Sequence, residues 1–253
     1  MRNRKRQRRT GKKQVTLLSL RSTALAPTPL TIPVRWVNAI IGVFLLPIAL
    51  VLTQTFFTSF KNAAVVHAFW ITEEFWFFSL GAVLWVIAFL GLPRPVLVYV
   101  FGHELTHVIW IWLMGGRVTK FYVDRNGGHV VTNKQNFLIA LAPYFFPLYS
   151  LLVVAIYGVA GLFADVFHYR ELLFALIGLT WAFHVSFTLW MIPKGQTDLS
   201  SHGTFFSLVV IYLMNLLVIG ALLIIASPHV TLRGFAHDFL ENAEAFSSWL
   251  LSA

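Results

Sequence analysis

The sequence predicts an all-α polytopic membrane protein with about six transmembrane helices and one short β-hairpin. Of its 253 residues, 58% are hydrophobic and only 11% are charged. A soluble globular domain is about half apolar and about a quarter charged. Long apolar runs, each near the roughly 20 residues that a bilayer requires, recur along the chain. Together these observations exclude a soluble domain and predict a multi-pass protein of the cell membrane.

Residues 1–33 form a basic segment ahead of the first apolar run. Nine of the 19 Lys and Arg residues lie between Arg2 and Arg21, so the rest of the chain is close to neutral. By the positive-inside rule this segment stays in the cytoplasm and contacts anionic lipid headgroups. Its juxtamembrane position argues against a nucleic-acid partner. No small-residue cleavage site closes the first apolar run, so we expect the segment to be retained.

Residues 34–227 form the predicted transmembrane domain. Its six apolar runs are separated by Pro, Gly and charged residues, and they cover 36–57, 75–92, 95–114, 137–163, 172–192 and 205–226. Pro143 and Pro147 predict a kink in the fourth run, because proline lacks the backbone N–H that a helix interior requires.

The C-terminal tail covers residues 228–253. In it Phe235, Phe239 and Phe246 recur near helical spacing, with acidic residues between them. This pattern predicts an amphipathic helix on the membrane surface, and a loosely ordered tail is the alternative.

A β-hairpin is predicted between the third and fourth runs. Two β-prone stretches flank Asn126-Gly127-Gly128, a sequence that tolerates the positive φ angles of tight turns. An ordinary exposed loop is the alternative, since short apolar runs are ambiguous.

The third run contains His103-Glu104-Leu105-Thr106-His107, the H-E-x-x-H pattern. Residues i and i+4 are neighbours on one helix face, so both imidazoles can bind one zinc ion while Glu104 flanks the zinc-activated water as general base. Ionisable residues inside a membrane helix are costly and need an internal partner, which a divalent cation supplies. The chain has no cysteine, so any metal must be bound by nitrogen and oxygen.

A catalytic zinc site usually has three protein ligands, and the third must come from elsewhere in the chain. Asp198 is the favoured candidate, because Pro193 and Gly195 interrupt helicity just before it and irregular backbone at membrane depth lines polar cavities. Capping of the sixth run is the other role open to Asp198. His184 and His202 remain alternative ligands, and a packed histidine is the plainer role for His184.

These motifs resemble those of the site-2 protease family of intramembrane zinc metalloproteases (M50). The resemblance covers about residues 95–215: H-E-x-x-H in a transmembrane helix, a Gly-Gly hairpin after it, and an Asp beyond two further spans. It implies that His103, His107 and Asp198 bind Zn²⁺, that Glu104 is the general base, and that 115–132 form a membrane-reentrant β-hairpin. It also implies a transmembrane protein or peptide as substrate. The alternative function is a non-proteolytic metal-binding membrane protein or transporter.

Overall fold

Helices make up most of the chain in the computed structural model, which describes residues 33–66, 69–227 and 229–252. The basic segment 1–33, apart from Pro33, therefore lies outside the described residues. The described part of the chain has nine α-helices: α1 (Val34–Lys61), α2 (Glu73–Gly91), α3 (Val96–Leu113), α4 (Phe137–Leu141), α5 (Leu148–Ala160), α6 (Arg170–Met191), α7 (Thr197–Ser201), α8 (Thr204–Ala226) and α9 (Leu232–Ser252). Two strands, β1 (Val118–Asp124) and β2 (Gly127–Thr132), lie between α3 and α4.

Five helical stretches are long and apolar enough to cross a membrane. They contain α1, α2, α3, α6 and α8, and they cover Val34–Val65, Glu73–Gly91, Val96–Leu113, Phe167–Lys194 and Thr204–Ala226. Each coincides with one of the apolar runs in the sequence. Many of their large apolar side chains are exposed, including Phe44, Leu90 and Ile225. Such surfaces are suited to lipid rather than to water.

The fourth predicted span differs from the expectation. Residues 137–163 form two helices, α4 and α5, bent by 78° at a break that follows Tyr144. The physical reason is that Pro143 and Pro147 remove two backbone donors within five residues. A side-chain cap from Asn136, whose Oδ1 accepts the N–H of Ile139 at 2.9 Å, starts α4. A break replaces the simple kink, so an uninterrupted sixth crossing is not formed.

The helices define two ends of the bundle. We call proximal the end at which α1 and α8 begin, where the Asn38 side chain donates to the His202 carbonyl at 2.8 Å. α6 runs parallel to α2, because Glu74 contacts Arg170 near the start of both helices and Trp85 contacts Ser186 further along both. α6 is antiparallel to α3, because Tyr99 contacts Phe187 whereas the later His103 lies beside the earlier His184. We call the opposite end distal. α3 ends and α6 begins at the distal end, so the chain leaves this end for α4 and returns to it after α5. The bent pair therefore enters and leaves at one end of the bundle.

The predicted hairpin is confirmed. β1 and β2 are antiparallel, with Asp124 opposite Gly127 and Val118 opposite Thr132. Asp124 Oδ1 accepts the backbone N–H groups of Asn126 and Gly127, at 2.6 and 3.1 Å, and so closes the two-residue turn. At the open end, Asn133 Oδ1 accepts the N–H of Arg117 at 2.7 Å. The hairpin therefore has a fixed register and both of its ends are tied.

The C-terminal tail forms α9, which runs back along α1 and α8. Its partly buried residues recur at helical spacing and include Phe235, Phe239 and Phe246. Two polar residues lie on the same face: Asp238 accepts a hydrogen bond from Ser59 at 3.0 Å, and Asn242 donates one to Thr55 at 3.2 Å. This contact face is therefore more polar than the sequence pattern indicates.

Candidate metal centre

Helix α3 places the two motif histidines side by side. His103 and His107 are one turn apart, their ring centroids are 4.9 Å from each other, and their side chains are about one-tenth exposed. Pro95 is the N-cap of the helix, where a backbone N–H would have no partner within the helix, so its absence costs nothing. The local sequence thus places two neighbouring imidazoles inside the helix bundle.

The short helix α7 brings Asp198 to this pair. A left-handed turn at Gly195, with φ of 74°, redirects the chain after α6, and α7 starts two residues later. Asp198 Oδ2 lies 3.3 Å from His103 Nε2 and 3.6 Å from His107 Nε2. Donor atoms around a tetrahedral zinc ion, with bonds of about 2.0–2.1 Å, lie about 3.3 Å apart. These three residues therefore have the spacing of a metal site.

The hydrogen-bond partner of His107 Nδ1 indicates which ring nitrogen is available to bind a metal ion. His107 Nδ1 lies 2.8 Å from the carbonyl oxygen of Ile139. A carbonyl only accepts hydrogen bonds, so Nδ1 carries a proton, and in the neutral ring the lone pair of Nε2 is directed toward Asp198. A lone pair facing a carboxylate is repulsive unless a proton or a metal cation lies between them. A divalent cation satisfies all three donor atoms at once.

The other two candidate ligands also have hydrogen-bond partners. His103 Nδ1 lies 3.2 Å from the Tyr99 hydroxyl, one turn earlier on α3. The Tyr144 hydroxyl donates to Asp198 Oδ2 at 3.2 Å. Such contacts orient ligands and fix their tautomers in metalloproteins. Helical spacing from His103 was the sequence signal that could have identified Tyr99, whereas no local pattern identified Tyr144 or Ile139.

Asp198 is ionised at neutral pH. Burial raises the pKa of this carboxyl, but the neighbouring His103 and His107 lower it by more, so that it lies well below its usual range. An ionised carboxylate is the form that binds metal ions.

Glu104 lies beside the three donors and is buried. It lines a cavity of about 540 Å³ together with His103, His107 and Asp198. The hairpin packs closely against it: a Cβ atom on Gly128 would lie 2.4 Å from Glu104 Cγ. The absence of a side chain at Gly128 is therefore what permits this approach.

Strand β2 forms one wall of the cavity. Residues from Gly127 to Thr132 line it, while β1 pairs with the opposite edge of β2. In the described part of the chain, no third strand pairs with β2, so one edge of β2 is open, and β2 residues line the cavity that contains the candidate metal site. An extended peptide could hydrogen-bond to that edge.

The two alternative ligands lie outside the three-residue cluster. His184 is buried in α6 beside a small cavity that it shares with His103, and its Nε2 has no hydrogen-bond partner among the described residues. His202 ends α7, and its Nδ1 lies 2.9 Å from Ser201 Oγ. A second group of possible donors, His237, Asp238 and Glu241, lies on α9, where His237 and Glu241 are exposed and Asp238 is partly buried. Exposed acidic groups of this kind are common without a metal ion.

No protein-family model, curated protein or solved structure matches this chain. Its function is therefore argued from the geometry and chemistry of the site.

Proposed function

We propose that this protein is an intramembrane zinc metalloprotease similar to the site-2 proteases. One observation carries the proposal: one ligand atom from each of His103, His107 and Asp198 lies within 4.8 Å of the other two, and the Ile139 carbonyl accepts a hydrogen bond from His107 Nδ1, which leaves Nε2 toward the same site. Two nitrogens and one oxygen with a nearby buried glutamate are the donor set of hydrolytic zinc sites.

Zinc bound at these residues would polarise a carbonyl group and lower the pKa of water toward about 7. Glu104 would accept one proton from the attacking water while the water oxygen forms a bond to the carbonyl carbon. The same carboxyl would return that proton to the nitrogen as the C–N bond breaks. The reaction consumes one water and needs no covalent intermediate with the protein.

The open edge of β2 supplies the place for substrate. A helix hides its carbonyl groups in internal hydrogen bonds, so a membrane-spanning substrate must unwind before water can attack. The unwound stretch can then pair with β2 by strand addition beside Glu104. The apolar surfaces of α1, α2 and α8 are consistent with a reaction inside a lipid bilayer.

The testing experiment measures zinc content and peptide cleavage on the same purified full-length protein in lipid nanodiscs. We expect about one zinc per chain and cleavage of fluorescently labelled single-span peptides. In Glu104→Gln, cleavage should fall by on the order of 10²–10⁴-fold with zinc retained, because the base is lost and the ligands are not. In Asp198→Ala the zinc affinity should fall as well, because only the two imidazoles remain to bind the ion.

Glu241→Gln is the matched control, because it removes a carboxylate from the second group of donors on α9. It should leave both zinc and cleavage unchanged. Zinc that persists in Asp198→Ala but disappears in Glu241→Gln would contradict the proposed site. Metal-dependent flux through liposomes without cleavage of any peptide would identify a transporter instead.

A further inference from the structure

Tyr144 lies at the break between α4 and α5 and is fully buried. Its backbone carbonyl accepts a hydrogen bond of 2.9 Å from the side chain of Asn215, which also donates to the Ile211 carbonyl within α8. The break is therefore fixed by a specific contact. The hydrogen bond from Asn215 holds the backbone of Tyr144 against α8.

The side chain of Tyr144 reaches the candidate metal site. Its hydroxyl donates at 3.2 Å to Asp198 Oδ2, the same oxygen that faces the two imidazoles. Its ring packs edge-on against His103, with centroids 5.3 Å apart. The phenol thus contacts two of the three candidate ligands from the side of the bent pair.

Asp198 needs such a partner more than the histidines do. His103 and His107 project from an 18-residue helix, whereas Asp198 belongs to a helix of only five residues. The backbone of α7 is held through buried Leu199, whose carbonyl accepts a hydrogen bond of 3.0 Å from Ser207. That backbone contact does not by itself orient the Asp198 carboxylate, and the Tyr144 hydroxyl contributes a hydrogen bond at Oδ2 that does.

We propose that Tyr144 is a positioning residue that holds the Asp198 carboxylate in its metal-binding orientation. The inference rests on the proposed function only in taking Asp198 as a ligand. Partners of this kind contribute about 10–100-fold to metal affinity.

The test compares Tyr144→Phe with Tyr149→Phe in the full-length protein. Each variant loses one oxygen atom, but the Tyr149 hydroxyl donates to the Val98 carbonyl at 2.6 Å and contacts none of the ligands. Zinc affinity is measured by competition with a chromogenic chelator. We expect about 10–100-fold weaker binding for Tyr144→Phe and unchanged binding for Tyr149→Phe. Equal affinities of Tyr144→Phe and wild type would overturn the proposal.

A double-mutant cycle separates positioning from general destabilisation. If Tyr144 acts through Asp198, adding Tyr144→Phe to Asp198→Ala should cost no further affinity, whereas a fold defect would add its full cost. Visible absorption of bound Co²⁺ gives a second measurement, because it reports coordination geometry. We expect Tyr144→Phe to change that spectrum and Tyr149→Phe to leave it unaltered, and a spectrum that Tyr144→Phe leaves unaltered would contradict the proposal.

These measurements do not depend on cleavage. If Tyr144→Phe binds zinc like wild type while Glu104→Gln abolishes cleavage, positioning fails and the protease function stands. If Tyr144→Phe weakens zinc binding while wild type cleaves no peptide, the positioning role stands and the protease function fails.

Discussion

At the scale of single residues, the site depends on backbone groups as much as on side chains. The Ile139 carbonyl decides which nitrogen of His107 is free, and its distance of 2.8 Å leaves little freedom in the ring orientation. Ile139 owes its position to the Asn136 cap, whose side chain accepts the Ile139 N–H. Asn136, a capping residue outside the H-E-x-x-H motif, thus helps to orient the His107 ring.

Gly128 gives a prediction at this scale. In Gly128→Ala the new Cβ would lie 2.4 Å from Glu104 Cγ, where ordinary contacts are 3.4–4 Å, so Glu104 or the hairpin must move by about 1 Å. A displacement of that size in a catalytic group reduces the rate on the order of 100-fold. We expect that loss in cleavage with zinc content unchanged. Cleavage at the wild-type rate would show that Glu104 is not held by this contact.

At the scale of elements, the closest helix contact joins α2 and α6. A Cβ on Gly81 would lie 1.9 Å from the Ala175 carbonyl oxygen, and one on Gly178 would lie 1.9 Å from that of Phe78. Small residues permit such approach, which is how membrane helices associate by packing. Outside this contact, Arg170 forms an ion pair with Glu74 at the distal end of both helices. The pair supports α6, which leads into the segment carrying Asp198.

We therefore predict that Gly178→Ala destabilises the protein by about 1–3 kcal/mol, because the methyl group must push backbone apart. Gly158→Ala in α5 is the control: nothing lies within 4 Å of its added Cβ, so alanine should be neutral or favourable there. Thermal unfolding in detergent, followed by helical circular dichroism, measures both. Equal midpoints for the two variants would exclude the tight contact.

At the scale of the whole molecule, the bent pair determines how many times the chain crosses a membrane. If α4 and α5 enter and leave at the distal end, five helices cross, and residues 117 and 164 lie on one side. If the pair crosses completely, the count is six and these residues lie on opposite sides. The composition and length of the apolar runs permit either count.

The absence of cysteine makes this difference measurable with single labels. We expect Arg117→Cys and Ala164→Cys to react with an impermeant maleimide from the same side of the membrane, and Leu92→Cys from the other. Intact cells and inverted vesicles provide the two sides. Labelling of positions 117 and 164 from opposite sides would establish six crossings.

The sequence by itself determined the features that depend on near neighbours. The H-E-x-x-H spacing placed two imidazoles on one face of α3, and two β-prone stretches around Asn126-Gly127-Gly128 predicted the hairpin. Five of the six predicted apolar runs correspond to long helices. Each of these patterns is set by hydrogen bonding and side-chain direction within a few residues.

Only the tertiary structure decided which distant residue meets the histidines. Asp198 is 95 positions from His103, and Asp198, His184 and His202 were all compatible with the sequence. The choice depends on how α7 packs beside α3, which follows from the left-handed turn at Gly195 and the burial of Leu199. The size of the break at Tyr144 was likewise beyond the local pattern: two prolines predict a kink, whereas the structure has a 78° bend at which Asn215 of α8 donates a hydrogen bond to the Tyr144 carbonyl. Local periodicity carries no information about such packing, because the energies that fix it come from contacts between elements far apart in the chain.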